Sequence, residues 1–420
     1  MASLLPNLAP DVIFSIFAFC DISSVISASE TCQYLHNLAF DKSVWLGLLD
    51  NLRRRSILDR TVNLETLSVA EMIGIVRRLI TGPQTWSPAE LDRDPVAEVS
   101  KMITLHVRSA HTLEFWNVAH DRLVWRHTPA GERTVLVNFG AEETADTESA
   151  IVIMVFLRGD LPGGPMHFLE MVNVDLRTGT HNCLLVARAP YSELLDQPAI
   201  CGALASVRLK SGYMIINWKA NSYFMIRGHD SHSRFALIPG HIVALMSSVN
   251  EELQIHLISN DTIGPFFSPT IGLDDATEFS AASVEEMPKL HIFRAIGTKL
   301  SFWGSVQIHA SPVRDTDYRV WIRGANEGLL SYQLSIPIDR EPQCRLRKAL
   351  RPGSQLASYS GHALHYEAFR GGWTVMSPGP SSANPRLQLF DDVEFVDLAT
   401  YSGALTCLAA DSPTVIQYYK

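Results

Sequence analysis

From about residue 100 to its end, the chain is a succession of short apolar segments separated by Gly, Asn, Asp, Ser and Pro. Segments of about four to eight residues, rich in β-branched and aromatic side chains and broken by turn formers, predict strands rather than helices. Candidates include Met102–Val107, Thr112–Asn117, Arg122–Trp125, Thr134–Phe139, Ile151–Leu157, His167–Val174 and Asn182–Ala187. They continue at similar spacing through Gly202–Leu209, Tyr213–Trp218, Tyr223–Arg227, His241–Ser247, Leu300–Trp303 and Tyr318–Arg323 to Val415–Tyr419. So many regular short strands over roughly 320 residues fit a propeller or a large sandwich.

Internal repetition favours the propeller. A unit of strand, aromatic-polar turn and strand recurs as LEFWNVAHDRLVW at 113–125, EMVNVDLRTGTHNCLLV at 170–186 and YMIINWKANSYFMI at 213–226. Each resembles the hairpin of a WD-like blade. Asn117, Asn173 and Asn217 are spaced by about 56 and then about 44 residues, against roughly 40–45 for a standard blade, so the repeat is degenerate and carries insertions. The length accommodates seven four-stranded blades. Each blade leaves an apolar face that only its neighbours can cover, so the first and last must meet. Val415–Tyr419 is accordingly expected beside the strands near residue 102.

The first 98 residues have a different periodicity. Val12, Ile13, Ile16, Phe17 and Cys20 recur at helical spacing, with Pro10 at the helix start and Asp11 in its first turn. Asp21 is the expected N-cap of a second short helix presenting Ile22, Val25 and Ile26. Cys32, Leu35, Leu38 and Ala39 mark a third, and Trp45, Leu46, Leu48 and Leu49 close the unit. Arg53, Arg54 and Arg55 fit a solvated helix end. Ser68 and Glu71 form a capping-box signature ahead of a helix over 68–80 that Gly82 and Pro83 stop.

Leu8, Pro10, Asp11, Ile16, Phe17, Asp21, Cys32 and Trp45 together resemble the F-box. Two positions depart from the family pattern: Ala9 stands where proline is common, and Cys20 replaces the leucine before the aspartate. Cysteine still behaves as a small buried hydrophobe. As a whole, the chain resembles fungal F-box proteins that join this motif to a divergent propeller-like domain. The expected organisation is α plus all-β: an F-box over 1–50, a helical linker over 51–98 and a seven-bladed β-propeller over 99–420.

Composition narrows the classes of function. Hydrophobic residues make up 46% and charged residues 19% of the chain, as in a globular protein. The formal charge of −9 disfavours general nucleic-acid or anionic-membrane binding. Ile151–Leu157 is the longest purely apolar run, far short of a membrane span, and the N-terminus lacks the basic start of a secretory signal. Six cysteines without a C-x-x-C pair suggest reduced thiols. A cytoplasmic or nuclear location is expected.

Catalytic signatures are absent from the sequence. His229/His232 and His362/His365 have metal-compatible spacing but no evident third ligand. No G-x-S-x-G elbow or phosphate-binding P-loop occurs, and the Gly159–Gly164 segment contains a proline better suited to a loop tip. Glu142, Glu143, Asp146 and Glu148 fit a solvated inter-strand loop, as do Asp391, Asp392, Glu394 and Asp397. Trp116, Trp125, Trp218, Trp303, Trp321 and Trp373 fit blade cores. No cofactor, metal or catalytic residue is expected.

The F-box resemblance implies a non-catalytic receptor subunit of an SCF-type cullin-RING ubiquitin ligase. Its helices would dock on a Skp adaptor, and through it on cullin, while the β domain captures an unidentified protein for ubiquitination. The resemblance assigns the adaptor contact to Pro10, Ile16 and Phe17, followed by Leu8, Val12, Ile13, Val25 and Trp45. A scaffold that uses the adaptor without cullin is the alternative, and a propeller enzyme with convergent carboxylates or histidines a more distant one.

Overall fold

The structure is a computed structural model that describes residues 8–59, 62–86, 99–103, 112–117, 120–129, 133–144, 148–159, 166–188, 196–209, 212–227, 233–247, 253–269, 281–295, 306–324, 328–350, 354–367, 372–376, 387, 393–409 and 414–419. Five α-helices precede the strands: α1 (Pro10–Phe17), α2 (Ile22–Ser29), α3 (Gln33–Ala39), α4 (Lys42–Arg54) and α5 (Val69–Thr81). Their boundaries follow local chemistry. Pro10 opens α1, Asp21 caps α2 by accepting Ser24 N–H at 2.7 Å, and Ser68 with Glu71 completes the expected capping box of α5. The helices share one core that includes Ile13, Phe17, Val25, Leu35, Trp45, Leu49 and Met72.

The strands assemble mainly as antiparallel sheets of consecutive strands. They are β1 (Val99–Ile103); β2 (Leu113–Asn117) and β3 (Arg122–His127); β4 (Thr134–Glu143), β5 (Ser149–Arg158), β6 (Met166–Asp175) and β7 (His181–Arg188). Next come β8 (Asp196–Cys201), β9 (Leu204–Leu209), β10 (Gly212–Asn217) and β11 (Ser222–Arg227), then β12 (Arg234–Ile238), β13 (His241–Ser247) and β14 (Leu253–Ser259). The short β15 (Ser268–Pro269) and β16 (Ala281–Ser283) both pair with β11, and β17 (His291–Ala295) completes the sheet of β12–β14. After them follow β18 (Val306–Ala310), β19 (Asp317–Gly324), β20 (Gly328–Ser335) and β21 (Gln343–Leu350), then β22 (Ser354–Ala357), β23 (Ala363–Glu367) and β24 (Gly372–Met376). The last three are β25 (Val393–Leu398), β26 (Leu405–Ala409) and β27 (Thr414–Tyr418).

Packing divides the chain into two compact units. One comprises Leu105–Ile308 and Ile322–Gly328; the other comprises Met1–Thr104, His309–Trp321 and Leu329–Lys420. In the first, consecutive sheets stack face to face. Alternate side chains of β5 serve two cores: Ile151, Ile153 and Val155 meet Ala205, Val207 and Met214 of the following sheet, while Val152, Met154 and Phe156 meet Leu113 and Trp125 of the β2–β3 hairpin. β10 repeats the device, with Met214 and Ile216 facing back and Tyr213 and Ile215 facing Phe235 and Ile242 of the next sheet. A strand buried on both faces reads as an unbroken apolar run, which explains Ile151–Leu157.

The other unit stacks its sheets the same way. Trp321, Leu329 and Leu350 pack on Ala357 and Ala363, and Leu364 and Val375 pack on Val396, Leu398 and Leu405. β1 pairs antiparallel with β27, from Val99↔Tyr418 to Ile103↔Thr414, so the first strand is hydrogen-bonded to the last. Meanders that stack in order within each unit, with β1 paired to β27, belong to the β-propeller class of sheet architecture. Among the described residues five sheets have four or more strands, one has three and one is a hairpin.

Several strands escaped the sequence reading: β8, β12, β18, β21 and β22. Edge strands carry polar residues on their open side, which erases the apolar signal; β21 reads QCRLRKAL and exposes Leu346. The expected strand Leu300–Trp303 lies outside the described residues, as do residues 104–107 of Met102–Val107. So do His106, His111, His229, His232, Asp146, Asp391, Asp392, Trp303 and most of the Gly159–Gly164 segment. Among the described residues no helix is long and apolar enough to cross a membrane, and no three His, Cys, Asp or Glu side chains converge as a metal site.

Candidate functional site

Helix α1 carries apolar residues on two faces. Ile13 and Phe17, one turn apart, enter the helical core, as do Val25 of α2 and Trp45 of α4. Val12 and Ile16, also one turn apart, remain 45% and 46% exposed, and Phe19 just beyond the helix is 93% exposed. Pro10 is exposed at the first turn, and Ile26 of α2 is 37% exposed. Residues 12, 16 and 19 follow the i, i+4, i+7 rule and share one side of the segment. Apolar side chains that share one side of a segment and stay exposed form a candidate interaction surface, more so than scattered ones do.

The eight expected contact residues therefore divide by role. Pro10, Val12 and Ile16 are available to a partner. Ile13, Phe17, Val25 and Trp45 are enclosed, so they hold the stripe in place rather than touch a partner. Leu8 is partly buried against the same core, and its carbonyl accepts the Tyr34 hydroxyl at 3.0 Å, which fixes the entry into α1. Helical spacing alone groups Ile16 with Phe17; a turn of 3.6 residues places their side chains on different faces once one of them is buried. Phe19, the most exposed apolar side chain of the stripe, was missed because it falls just outside the core period. Cys20 is half-buried, and burial followed by the Asp21 charge pushes its thiol pKa up.

The helices are anchored to the turn between β18 and β19. Ser23 N–H donates to the Val313 carbonyl at 2.9 Å, and Arg314 Nε donates to Ser23 Oγ at 3.1 Å. Arg55 donates to the Ser311 carbonyl at 2.9 Å and pairs with Asp315 Oδ1 at 2.5 Å. Ser311 organises the turn from within: its Oγ accepts the N–H groups of Val313 and Arg314 and the Tyr359 hydroxyl. Arg55, read from sequence as part of a solvated helix end, is thus a structural contact. Its partners lie some 260 residues away, so no local pattern could reveal it.

A second anchor joins α5 to the last strands. Trp86 is fully buried, with ring centroids 5.5 Å from His362 and 5.3 Å from Tyr419. The Arg78 guanidinium donates to the Tyr419 carbonyl. His362 Nδ1 lies 2.9 Å from Ser360 Oγ inside this packing, a hydrogen-bonded and enclosed position for one of the histidines with metal-like spacing. Beside it, His309 donates from Nε2 to the Ala357 carbonyl at 3.3 Å, since a carbonyl can only accept. Burial pushes the His309 pKa down to about 4. The two anchors tie the segment bearing the exposed stripe to a sheet framework at both ends.

No protein-family model matches the sequence, and no curated protein matches it. Solved structures of propeller type are similar at low identity. BamB from Moraxella catarrhalis is 10% identical, over 78% of this chain and 92% of its own, with a TM-score of 0.32. A putative 6-phosphogluconolactonase from Bacteroides uniformis is 12% identical over 66% of this chain and 80% of its own, with a TM-score of 0.33. The WD40 domain of SCAP from fission yeast is 11% identical over 68% of this chain and 95% of its own, with a TM-score of 0.31.

Proposed function

We propose that this chain is the substrate-receptor subunit of an SCF-type cullin-RING ubiquitin ligase, with an F-box that docks on a Skp adaptor and a seven-bladed propeller that holds the target. The observation that carries this reading is the exposed apolar stripe of Val12, Ile16 and Phe19, on a helix whose other face is committed to a core through Ile13 and Phe17. An apolar helix face of this kind fits a groove on a partner, and of the residues that resemble the F-box Ile16 lies on that face while Phe17 and Trp45 lie in the core behind it. Seven blades require the β2–β3 hairpin and the three-stranded sheet to count as blades beside the five larger sheets. The activity is proximity: a rigidly held target is kept at high effective concentration near a ubiquitin-charged enzyme, and this chain performs no chemistry. A cytoplasmic or nuclear location follows from the same reading.

Co-expression with a Skp adaptor and cullin, followed by affinity capture, tests it. Wild type should retain both partners, while Val12→Asp with Ile16→Asp should lose both and keep its thermal stability. Capture of adaptor without cullin would favour a scaffold role, and no adaptor capture by folded wild type would remove the F-box reading.

A further inference from the structure

The unit containing residues 105–308 holds a cavity of about 490 Å³ at one end of three consecutive sheets. It is built at Glu142, the next-to-last residue of β4, where β8 turns into β9 at Gly202, where β12 turns into β13 at Pro239–Gly240, and where β14 ends before Asn260. Gly202 and Gly240 both adopt positive φ, 60° and 74°, so the rim is made of tight turns without side chains. One wall is apolar, formed by Leu204, Ile263 and Phe267.

The polar groups that face this wall seek donors. Glu142 accepts Gly202 N–H through Oε2 at 2.6 Å, and no cation among the described residues lies at ion-pair distance from it. Burial accordingly raises its carboxyl pKa. Asn260 Oδ1 is buried and has no hydrogen-bond donor, while its backbone N–H is used by Gly240. Other acceptors at the site are occupied: the Gly202 carbonyl takes Trp218 Nε1 at 2.9 Å, and Asn217 Oδ1 takes Ala220 N–H at 3.1 Å. The Cys201 thiol is held neutral by burial, its pKa pushed up to about 12, so it supplies no charge. A half-buried carboxylate without a cation and a buried amide oxygen without a donor are both costly, and one ligand could relieve both.

We propose that this cavity receives the basic side chain, lysine or arginine, of a partner protein. The aliphatic stem lies along Leu204, Ile263 and Phe267, and the ammonium or guanidinium head donates to Glu142 and Asn260 Oδ1. Charge-assisted donors are the strong class of hydrogen bond, and an amphipathic side chain matches a site apolar on one wall and acceptor-rich on the other. The proposal deepens the receptor reading by giving its target a chemical class, yet its test needs neither adaptor nor cullin, so the two can fail separately.

Binding to the full chain is measured by ligand-observed NMR titration with N-acetyl-arginine methylamide and N-acetyl-lysine methylamide, against N-acetyl-norleucine methylamide as the neutral comparison. The basic probes should bind saturably and at least about ten-fold more tightly than norleucine. Glu142→Gln should weaken them by about the same factor, and Asn260→Asp, which adds a second carboxylate, should tighten them; a gain cannot come from unfolding. Equal binding of norleucine, unchanged affinity in both variants, or absence of saturable binding would overturn the proposal. Tighter binding of free cadaverine than of the blocked amino acids would overturn the assignment to a protein side chain.

Discussion

Val12 and Ile13 are neighbours of similar chemistry with different fates, and the difference is measurable. Ile16→Asp replaces a half-exposed side chain outside the helical core, so stability should change by about 1 kcal/mol or less, while on the proposed function adaptor capture should be lost. Trp45→Ala removes an enclosed indole and should cost about 3–5 kcal/mol in chemical denaturation. His309 supplies a pH signature. Its folded pKa of about 4 lies below the unfolded value of about 6.5, so the unfolded chain binds more protons between those limits. Its contribution is therefore fully present above pH 6.5 and is lost as pH falls to about 4, on the order of 1–3 kcal/mol. Denaturation across that range should show this loss in wild type and a flatter profile in His309→Gln.

At the scale of elements, helix ends and double-faced strands were legible in the sequence. Pro10, Asp21 and the Ser68–Glu71 pair act within one turn of themselves, so their chemistry is written locally. Ile151–Leu157 announced a buried strand because both of its faces are covered. Polar edge strands such as β21 were illegible, since β21 keeps its ladder while showing charged or exposed residues outward. Of the candidate interaction face, the sequence identified the helix but not which apolar residues turn outward, because that depends on where α3 and α4 lie. The joint after α5 shows a similar dependence. A Cβ at Gly82 would sit 2.7 Å from both His362 Nδ1 and Ser360 Oγ, and the residue has φ 76°. Gly82→Ala should lower stability by about 1–3 kcal/mol, measured by thermal or chemical unfolding.

Across the molecule, the helical segment and the final strands are built as one piece. Trp86 belongs to the same core as Leu398, Leu405 and Tyr419, and Arg55 and Ser23 grip the 311–315 turn. A cut at residue 98 should therefore leave neither fragment intact. Residues 1–98 and 99–420 expressed separately should each lose cooperative unfolding and become protease-sensitive, whereas a boundary of independent domains would preserve both. The anchoring also gives the exposed stripe a fixed bearing on the sheets beside it.

The pairing of β1 with β27 has a consequence for biosynthesis. The first strand leaves the ribosome long before its partner is made, and at about 5–20 residues per second the delay is roughly 15–60 seconds. Throughout that interval β1 has an open edge, and the seat for Trp86 lacks Tyr419. Late in that interval the opening helices have the grip of Ser23 and Arg55 on the 311–315 turn but lack the anchor at Tyr419. Until β27 is in place, the open edge of β1 stays exposed to the cell's chaperones and proteases.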